Sequence, residues 1–402
     1  MRVLVLTQVV VYPADAGPKV KTLQVLRHLA AHHEVIYCTY VRSDKEAQDA
    51  EYLREICSRV VTIPLKRSRM TDVRFLLESL ATNDSFLMRR DDRAEMRATV
   101  KQLLHEEHID VLHIDQLNMM RFVPVDWKGP VILDEHNAVW QVMERLYKGA
   151  HNPVSHILLK REARIMRKLE GSCCRRAQVV LAVSEHDKEA LREVAGKTTP
   201  IEVVPITVDT ERLEPIWAAR NPQPNRLFTI GTMFWIPNSE GVLWWLRQGY
   251  GHLRALCSEV TYDIVGARPT HTLQVAAEEL ASEGVRLHGY VADAVPFWTS
   301  ATLLAVPLLS GGGVRVKILE AMATGVPVVS TTVGCEGLEV RHDEHLLIAD
   351  TPEEFAHACI RILQDKELAQ NLAQNARQLI LDKYDSKVAL KTLDAAYEQV
   401  QR

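Results

Sequence analysis

The 402-residue sequence is short of several things, and each shortage narrows its class. No apolar run reaches the roughly 18 residues that span a bilayer, so no membrane-crossing helix is expected. The N-terminus, M-R-V-L-V-L-T-Q-V-V-V-Y-P, lacks a small-residue cleavage site after its apolar stretch. It reads as a first buried strand, not a secretion signal. The seven cysteines are scattered apart from Cys173-Cys174, and none has C-x-x-C spacing. That argues against a zinc site and for a reducing, cytoplasmic setting. A net charge of only -4 gives no electrostatic reason to expect nucleic acid. With 47% hydrophobic and 25% charged residues, the chain is ordinary globular material, long enough for two or three domains.

One stretch organises the rest: Ala305 to Thr332, A-V-P-L-L-S-G-G-G-V-R-V-K-I-L-E-A-M-A-T-G-V-P-V-V-S-T-T. Thr302–Leu309 is an apolar run of strand length, and Val326–Ser330 is another. Between them Ser310–Gly313 is a loop whose glycines let backbone amides approach a ligand. The spacing of Val314, Ile318, Ala321 and Met322 predicts a helix over Val314–Thr324, ended by Gly325. Arg315 falls in its first turn, and Lys317 and Glu320 share a face. Free amides, the positive end of the helix and two cations together describe an anion site. Glu320, one turn deeper, suits a pair of neighbouring hydroxyls. The alternative is a plain strand–helix–strand unit with solvated charges.

The first half opens as a βαβ unit: strand Val3–Val11, loop Tyr12–Lys19, helix Val20–His32, strand Val35–Tyr40. It has no G-x-G-x-x-G. Gly17, Lys19 and Lys21 lie beyond the carboxyl end of the first strand, where ligands collect; the alternative is a turn with solvated lysines. Residues 66–97 mix basic runs (K-R-S-R-M, R-R-D-D-R) with Phe75, Leu76, Leu77, Leu80, Phe86, Leu87 and Met88. This reads as amphipathic helices packed on their own domain, or as an acceptor or membrane-surface patch. Asp110–Asp115 and Pro130–Asp134 are strands, the second running into Glu135-His136-Asn137. His136 is placed to bond a ligand or carry a proton; the alternative is a turn capping a helix near Val139. The charge alternation of Trp140–Arg176 predicts a solvated helical face. Val179–Ser184 is a further strand, with Glu185–Asp187 capping the next helix.

In the second half, strand Leu227–Gly231 leads into an uncharged loop, Thr232–Asn238, and a helix over Ser239–Arg247. Asn238 caps that helix or touches the ligand. Strands Thr261–Gly266 and Val285–Val291 follow, with helices over Pro352–Asp365, Glu367–Leu381 and Ser386–Val400.

The segment G-G-G-V-R-V-K-I-L-E-A-M-A-T-G-V-P-V-V-S-T resembles the signature of the retaining glycosyltransferases of family 4 (GT4, group 1), which have the GT-B fold. The resemblance implies an α/β protein of two Rossmann-like parallel-sheet domains facing across a cleft. An acceptor domain would span 1–207, with the terminal helix (about 386–402) packing back on it, and a donor domain 208–385. Val203–Asp209 resembles the family's crossover, and Asn221–Asn225, with two prolines, reads as a linker. In the family the residue matching Glu320 holds the nucleotide ribose. A second glutamate usually precedes it by eight positions; here that position is Gly312.

The donor sugar would therefore be met by the backbone of Gly311, Gly312, Gly313 and Val314. Gly17 and Lys19 would approach the diphosphate, Gly231 and Asn238 would line the donor site, and Tyr290 and Val291 would meet the base. The family's usual Arg and Lys after the Gly231 strand are missing, so Arg315 and Lys317 become the catalytic cations. D-E-H-N resembles the family segment in which a His contacts the donor sugar, which would be the role of His136. The donor would be a nucleotide sugar such as a UDP- or GDP-sugar. No metal or other cofactor is expected, because the cations replace it. The acceptor would be a glycan, a lipid-linked molecule or a small molecule, in polysaccharide, glycolipid or other glycoconjugate synthesis. The expected setting is cytoplasmic, with peripheral contact at the inner membrane face left open. Alternatives are a nucleotide-sugar epimerase, a phosphorolytic enzyme or a non-catalytic nucleotide-sugar binding subunit.

Overall fold

A computed structural model describes every residue except 15, 16, 151, 312 and 402. The chain divides into two units, Met1–Ile206 with Leu390–Arg402, and Thr207–Ala389.

The first unit is built on seven strands: β1 (Arg2–Thr7), β2 (Glu34–Val41), β3 (Arg59–Pro64), β4 (Val111–Asp115), β5 (Val131–Asp134), β6 (Val179–Ala182) and β7 (Ile201–Val203). They pair in parallel in the order β3-β2-β1-β4-β5-β6-β7. Parallel sheets need cover on both faces, and the inner strands are accordingly buried at consecutive positions, not alternate ones. Alternate side chains enter two separate layers. Leu4, Leu6 and Ile36 pack with Met96, Val100 and Leu103 on one side. Val3, Val5 and Val35 pack on the other with Leu26, Leu29 and the last helix, Ser386–Gln401, through Leu390, Leu393, Ala396 and Tyr397.

The second unit has six strands: β8 (Arg226–Ile230), β9 (Thr261–Val265), β10 (Val285–Gly289), β11 (Leu303–Val306), β12 (Val328–Ser330) and β13 (Leu347–Ile348). All pair in parallel, in the order β10-β9-β8-β11-β12-β13. Strand order reverses direction between β1 and β4 in one sheet and between β8 and β11 in the other. Ligands of open α/β sheets gather at such reversals, beyond the carboxyl ends of the strands.

Several local expectations need correction. The helix predicted over Ser239–Arg247 begins at Ile236 and continues through a π-turn, Trp245–Gly249, to Leu256. Trp245 and Tyr250 are anchored in the core with Phe355, and this burial outweighs the two glycines that argue for a break. A helix over Thr210–Ala218, N-capped by Asp209, was not foreseen. The proline-containing segment after it lies inside the second unit, where the Asn221 and Gln223 amides donate to Thr299 and Ser300 carbonyls.

Residues 139–176 form two helices, Val139–Lys148 and Pro153–Arg176, whose charges are not simply solvated. Buried Glu170 accepts the Val139 and Trp140 amides at 2.8 and 2.7 Å. Buried Glu162 accepts the Ser85 hydroxyl at 2.5 Å and the Phe86 and Leu87 amides at 3.3 and 3.2 Å. Each carboxylate thus meets the unsatisfied donors at the start of another helix. Likewise Ser184, not Glu185–Asp187, caps the helix that follows β6. Among the described residues no helix is long and apolar enough to cross a membrane.

Candidate functional site

In the second unit the reversal point brings together β8's exit, the loop after it and the loop after β11. Gly231 ends β8 with φ +157, and a Cβ there would meet Lys317 Nζ at 2.8 Å and Asn238 Nδ2 at 2.9 Å. The Lys317 ammonium donates to Asn238 Oδ1 at 3.0 Å, and Asn238 Nδ2 donates to the Thr232 carbonyl at 3.1 Å. Asn238 therefore does not cap its helix, whose N-cap position is Trp235; it fixes the lysine instead.

Arg315 stands at the N-cap position of the helix Val316–Thr324, one residue before the first turn expected for it. Its guanidinium lies 5.8 Å from the Trp235 ring. Gly311 has φ +104, and a Cβ there would come within 3.2 Å of Trp235 and 3.1 Å of Arg315. Only glycine reaches that conformation without strain. Gly313 (φ +84) and buried Val314 complete the loop; Gly312 lies outside the described residues. Gly325 ends the helix in the left-handed conformation, as expected.

The electrostatics are unbalanced. Burial, with Arg315 close by, pushes the Lys317 ammonium down to about 7. Among the described residues it forms no ion pair with a carboxylate, and its hydrogen-bond partner is Asn238. Burial lowers Arg315 too, with Glu336 opposing. Glu320, one turn beyond Lys317, is raised by burial, with Arg212 opposing. Two desolvated cations at a helix start present a site that an anion would stabilise. Tyr290 and Val291 follow β10, which β9 separates from β8, and Tyr290 is 76% exposed. They are not gathered into this cluster.

The first unit's reversal point is different. Gly17 and Lys19 belong to the first turn of the helix Gly17–His32, which starts three residues earlier than predicted. The Lys19 ammonium is 3.5 Å from the Pro13 carbonyl. Lys21, expected beside the ligand or in solvent, is buried in an ion pair with Asp134 at the end of β5. Burial would raise the Asp134 carboxyl, but Lys21, with His113 and His136 nearby, outweighs it and holds it below the ordinary range. His113 Nδ1 is 3.0 Å from the Tyr397 hydroxyl, and its Nε2 is 3.7 Å from Asp134.

His136 is 7% exposed, with Nε2 3.0 Å from Asp115 Oδ1 and Nδ1 3.4 Å from Gln116 Nε2. Asp115 also accepts the Thr22 hydroxyl at 2.8 Å. The helix after His136 has no side-chain cap of its own; Glu170 supplies it. Residues 134–137 thus turn the chain without capping that helix. Buried Glu135 is pushed well above the usual carboxyl range by burial and by Glu170, and burial raises Glu170 too, against the Trp140 and Val139 amides that it accepts.

Sequence reasoning missed Asp115, Thr22 and the partners of Lys21. Asp115 had a usable signal, since it ends a strand as Asp134 does. Asp115, Asp134 and His136 bring three ligand-type atoms within 4.8 Å. Lys21 already sits on Asp134, supplying the positive charge that a metal ion would otherwise bring.

Comparison with known proteins adds to this geometry. Residues 17–212 match the family model described as Glycosyltransferase Family 4, and residues 224–365 that described as Glycosyl transferases group 1. An uncharacterised 44.6 kDa protein in the cps region of Klebsiella pneumoniae is 28% identical over 178 residues, which cover 42% of this chain and 45% of that protein. The match thus spans less than half of that relative's length. The crystal structure of Anabaena HepE in complex with UDP superposes with a TM-score of 0.68 at 15% identity, covering 99% of this chain and 100% of that one. Sucrose-phosphate synthase from Thermosynechococcus elongatus does so at 0.68 and 15%, covering 100% and 99%. At such identities these two matches speak for the fold alone.

Proposed function

The chain belongs to the family 4 (group 1) glycosyltransferases, and on that premise we propose that it moves a sugar from a nucleotide-diphosphate donor to an acceptor with retention of configuration. The observation that carries this is the Lys317–Asn238–Gly231 cluster at the second unit's strand reversal: a desolvated cation without a carboxylate, beside a helix start.

The leaving group is a nucleoside diphosphate, so the chemical demand is to stabilise charge as it develops. Preorganised cations and amides meet that demand without rearranging. Lys317 and Arg315 would grip the diphosphate, with the backbone of Gly311, Gly313 and Val314 around the sugar. Glu320, held toward its neutral form by burial, would bond the ribose hydroxyls. Within the first unit, Gly17, Lys19 and His136 are this proposal's candidates for donor contacts. Tyr290 and Val291 would cover the base. The reading calls for no metal, since fixed cations do its work.

A uridine donor is the first to test, because the Anabaena neighbour was crystallised with UDP and with UDP-glucose. Because the Klebsiella relative lies in a cps region, the reading is also framed as polysaccharide or other glycoconjugate synthesis in the cytoplasm. The acceptor would be a glycan, a lipid-linked or a small molecule. The test is a thermal-shift screen of UDP-, GDP- and dTDP-sugars, then release of nucleoside diphosphate with and without acceptor. Release that needs an acceptor and is lost in Lys317→Ala supports transfer. Release without any acceptor means an epimerase, and binding without release a non-catalytic subunit. Full turnover in both Lys317→Ala and Glu320→Ala overturns the site.

A further inference from the structure

We propose that the helix Arg69–Thr82 of the first unit is a docking face for an anionic lipid bilayer. It is a complete helix, closed at its start by a Ser68–Thr71 capping box and at its end by Asn83 in the left-handed conformation. Its inward side is fixed by buried Phe75 and Ser79. The outward side should be polar in a helix that only covers its own domain. Instead Met70, Val73, Leu77 and Leu80 are between 42 and 84% exposed. Their spacing (i, i+3, i+7, i+10) makes one stripe along the helix.

The charges sit where an interfacial helix would carry them. On the helical wheel Arg69 falls at one edge of the stripe and Arg74 at the other, while Asp72 falls on the opposite side. Arg74 lies over the Phe75 ring at 4.8 Å and pairs with Glu78 at 3.3 Å, which also meets Arg89 at 3.5 Å. Exposed Lys66 and Arg69 flank Arg67, which is held by Asp91. Over Lys66–Thr82 there are four cations against two carboxylates.

An aliphatic ridge edged by arginines, with a basic cluster at the helix start, complements a surface that is apolar just below a layer of negative headgroups. A bilayer meets both features at once, the aliphatic ridge at the acyl boundary and exposed Lys66 and Arg69 at the headgroups. The surface thus commits to lipid, and it does so independently of any sugar chemistry.

The test is co-sedimentation of the full chain with vesicles of phosphatidylcholine alone and of phosphatidylcholine mixed with phosphatidylglycerol, without nucleotide. The expected result is binding to the mixed vesicles, weakened by salt. Val73→Asp with Leu77→Asp should lower it about tenfold or more, and Arg69→Glu a few-fold, with unchanged circular dichroism and melting. These positions are exposed, so folding is not at stake. The proposal is overturned if the wild type stays in the supernatant with both vesicles, or if the double variant sediments like the wild type. It is also overturned if the double variant only converts a dimer to a monomer in light scattering.

Discussion

Lys21 and Lys317 are both turned inward at the carboxyl edge of a parallel sheet, one in each unit, and they are satisfied in opposite ways. Lys21 meets a buried carboxylate, Asp134. Lys317 meets only the side-chain amide of Asn238. The first arrangement is closed at the lysine: the Lys21 and Asp134 charges offset each other at the strand ends beside His136. The second is open, because a desolvated ammonium with no counter-ion is incomplete until an anion arrives. The same residue type in the same topological place therefore serves as structure in one unit and as a binding group in the other.

The sharpest way to break this contrast is to replace each lysine by methionine. Lys21→Met leaves Asp134 buried without its partner and should destabilise the protein by about 3–5 kcal/mol, read from urea or thermal unfolding. Adding Asp134→Leu should restore much of the loss. A Lys21→Met protein as stable as the wild type would end the comparison.

Lys317→Met should leave stability unchanged or slightly higher. It should cut kcat/KM about 10²–10³-fold, as loss of one preorganised charge-stabilising donor does. A large destabilisation instead would make Lys317 structural.

A third, smaller effect concerns pH. With its pKa near 7, Lys317 binds the diphosphate as the ammonium, and binding draws a proton in. Affinity for a uridine diphosphate sugar should be flat below about pH 7 and fall up to about tenfold per unit above it. Calorimetry in two buffers of different ionisation enthalpy should show proton uptake, absent in Lys317→Met. The first unit responds with the opposite sign. Asp134 is held low, so its contribution is present above the ordinary carboxylate range and is lost as pH falls through its depressed value.

The smallest effect expected is at Asp115. Asp115→Asn should lower turnover about tenfold while leaving UDP affinity unchanged, since of its two partners, His136 and Thr22, only His136 is assigned to the donor sugar.

The parallel strands and the glycine–helix site were legible because their signals are local. Continuous apolar runs mark β1, β5 and β11, and Gly325 stops its helix where a left-handed residue was expected. What escaped depends on contacts distant in sequence. Nothing near Lys21 announces Asp134, 113 positions away. The charges of residues 139–176 follow a solvated pattern, yet Glu162 and Glu170 are buried by helices whose positions only the tertiary structure sets. For Asn238 the sequence leaves cap and ligand contact both open, because its role depends on Lys317, 79 positions on. In the 66–97 stretch, periodicity could not say which apolar residues face in; Phe75 and Met88 do, while Leu77 and Leu80 do not.

The helix Pro153–Arg176 carries its two capping carboxylates, Glu162 and Glu170, on one rigid rod. Their spacing works as a gauge for where two other chain segments begin, one at Phe86 and one at Val139. Removing a single residue between them would shorten the rod by about 1.5 Å and swing one carboxylate about 100° around the axis. One of the two segments would then lose its anchor. That interval should therefore tolerate exchange of side chains far better than any change of length.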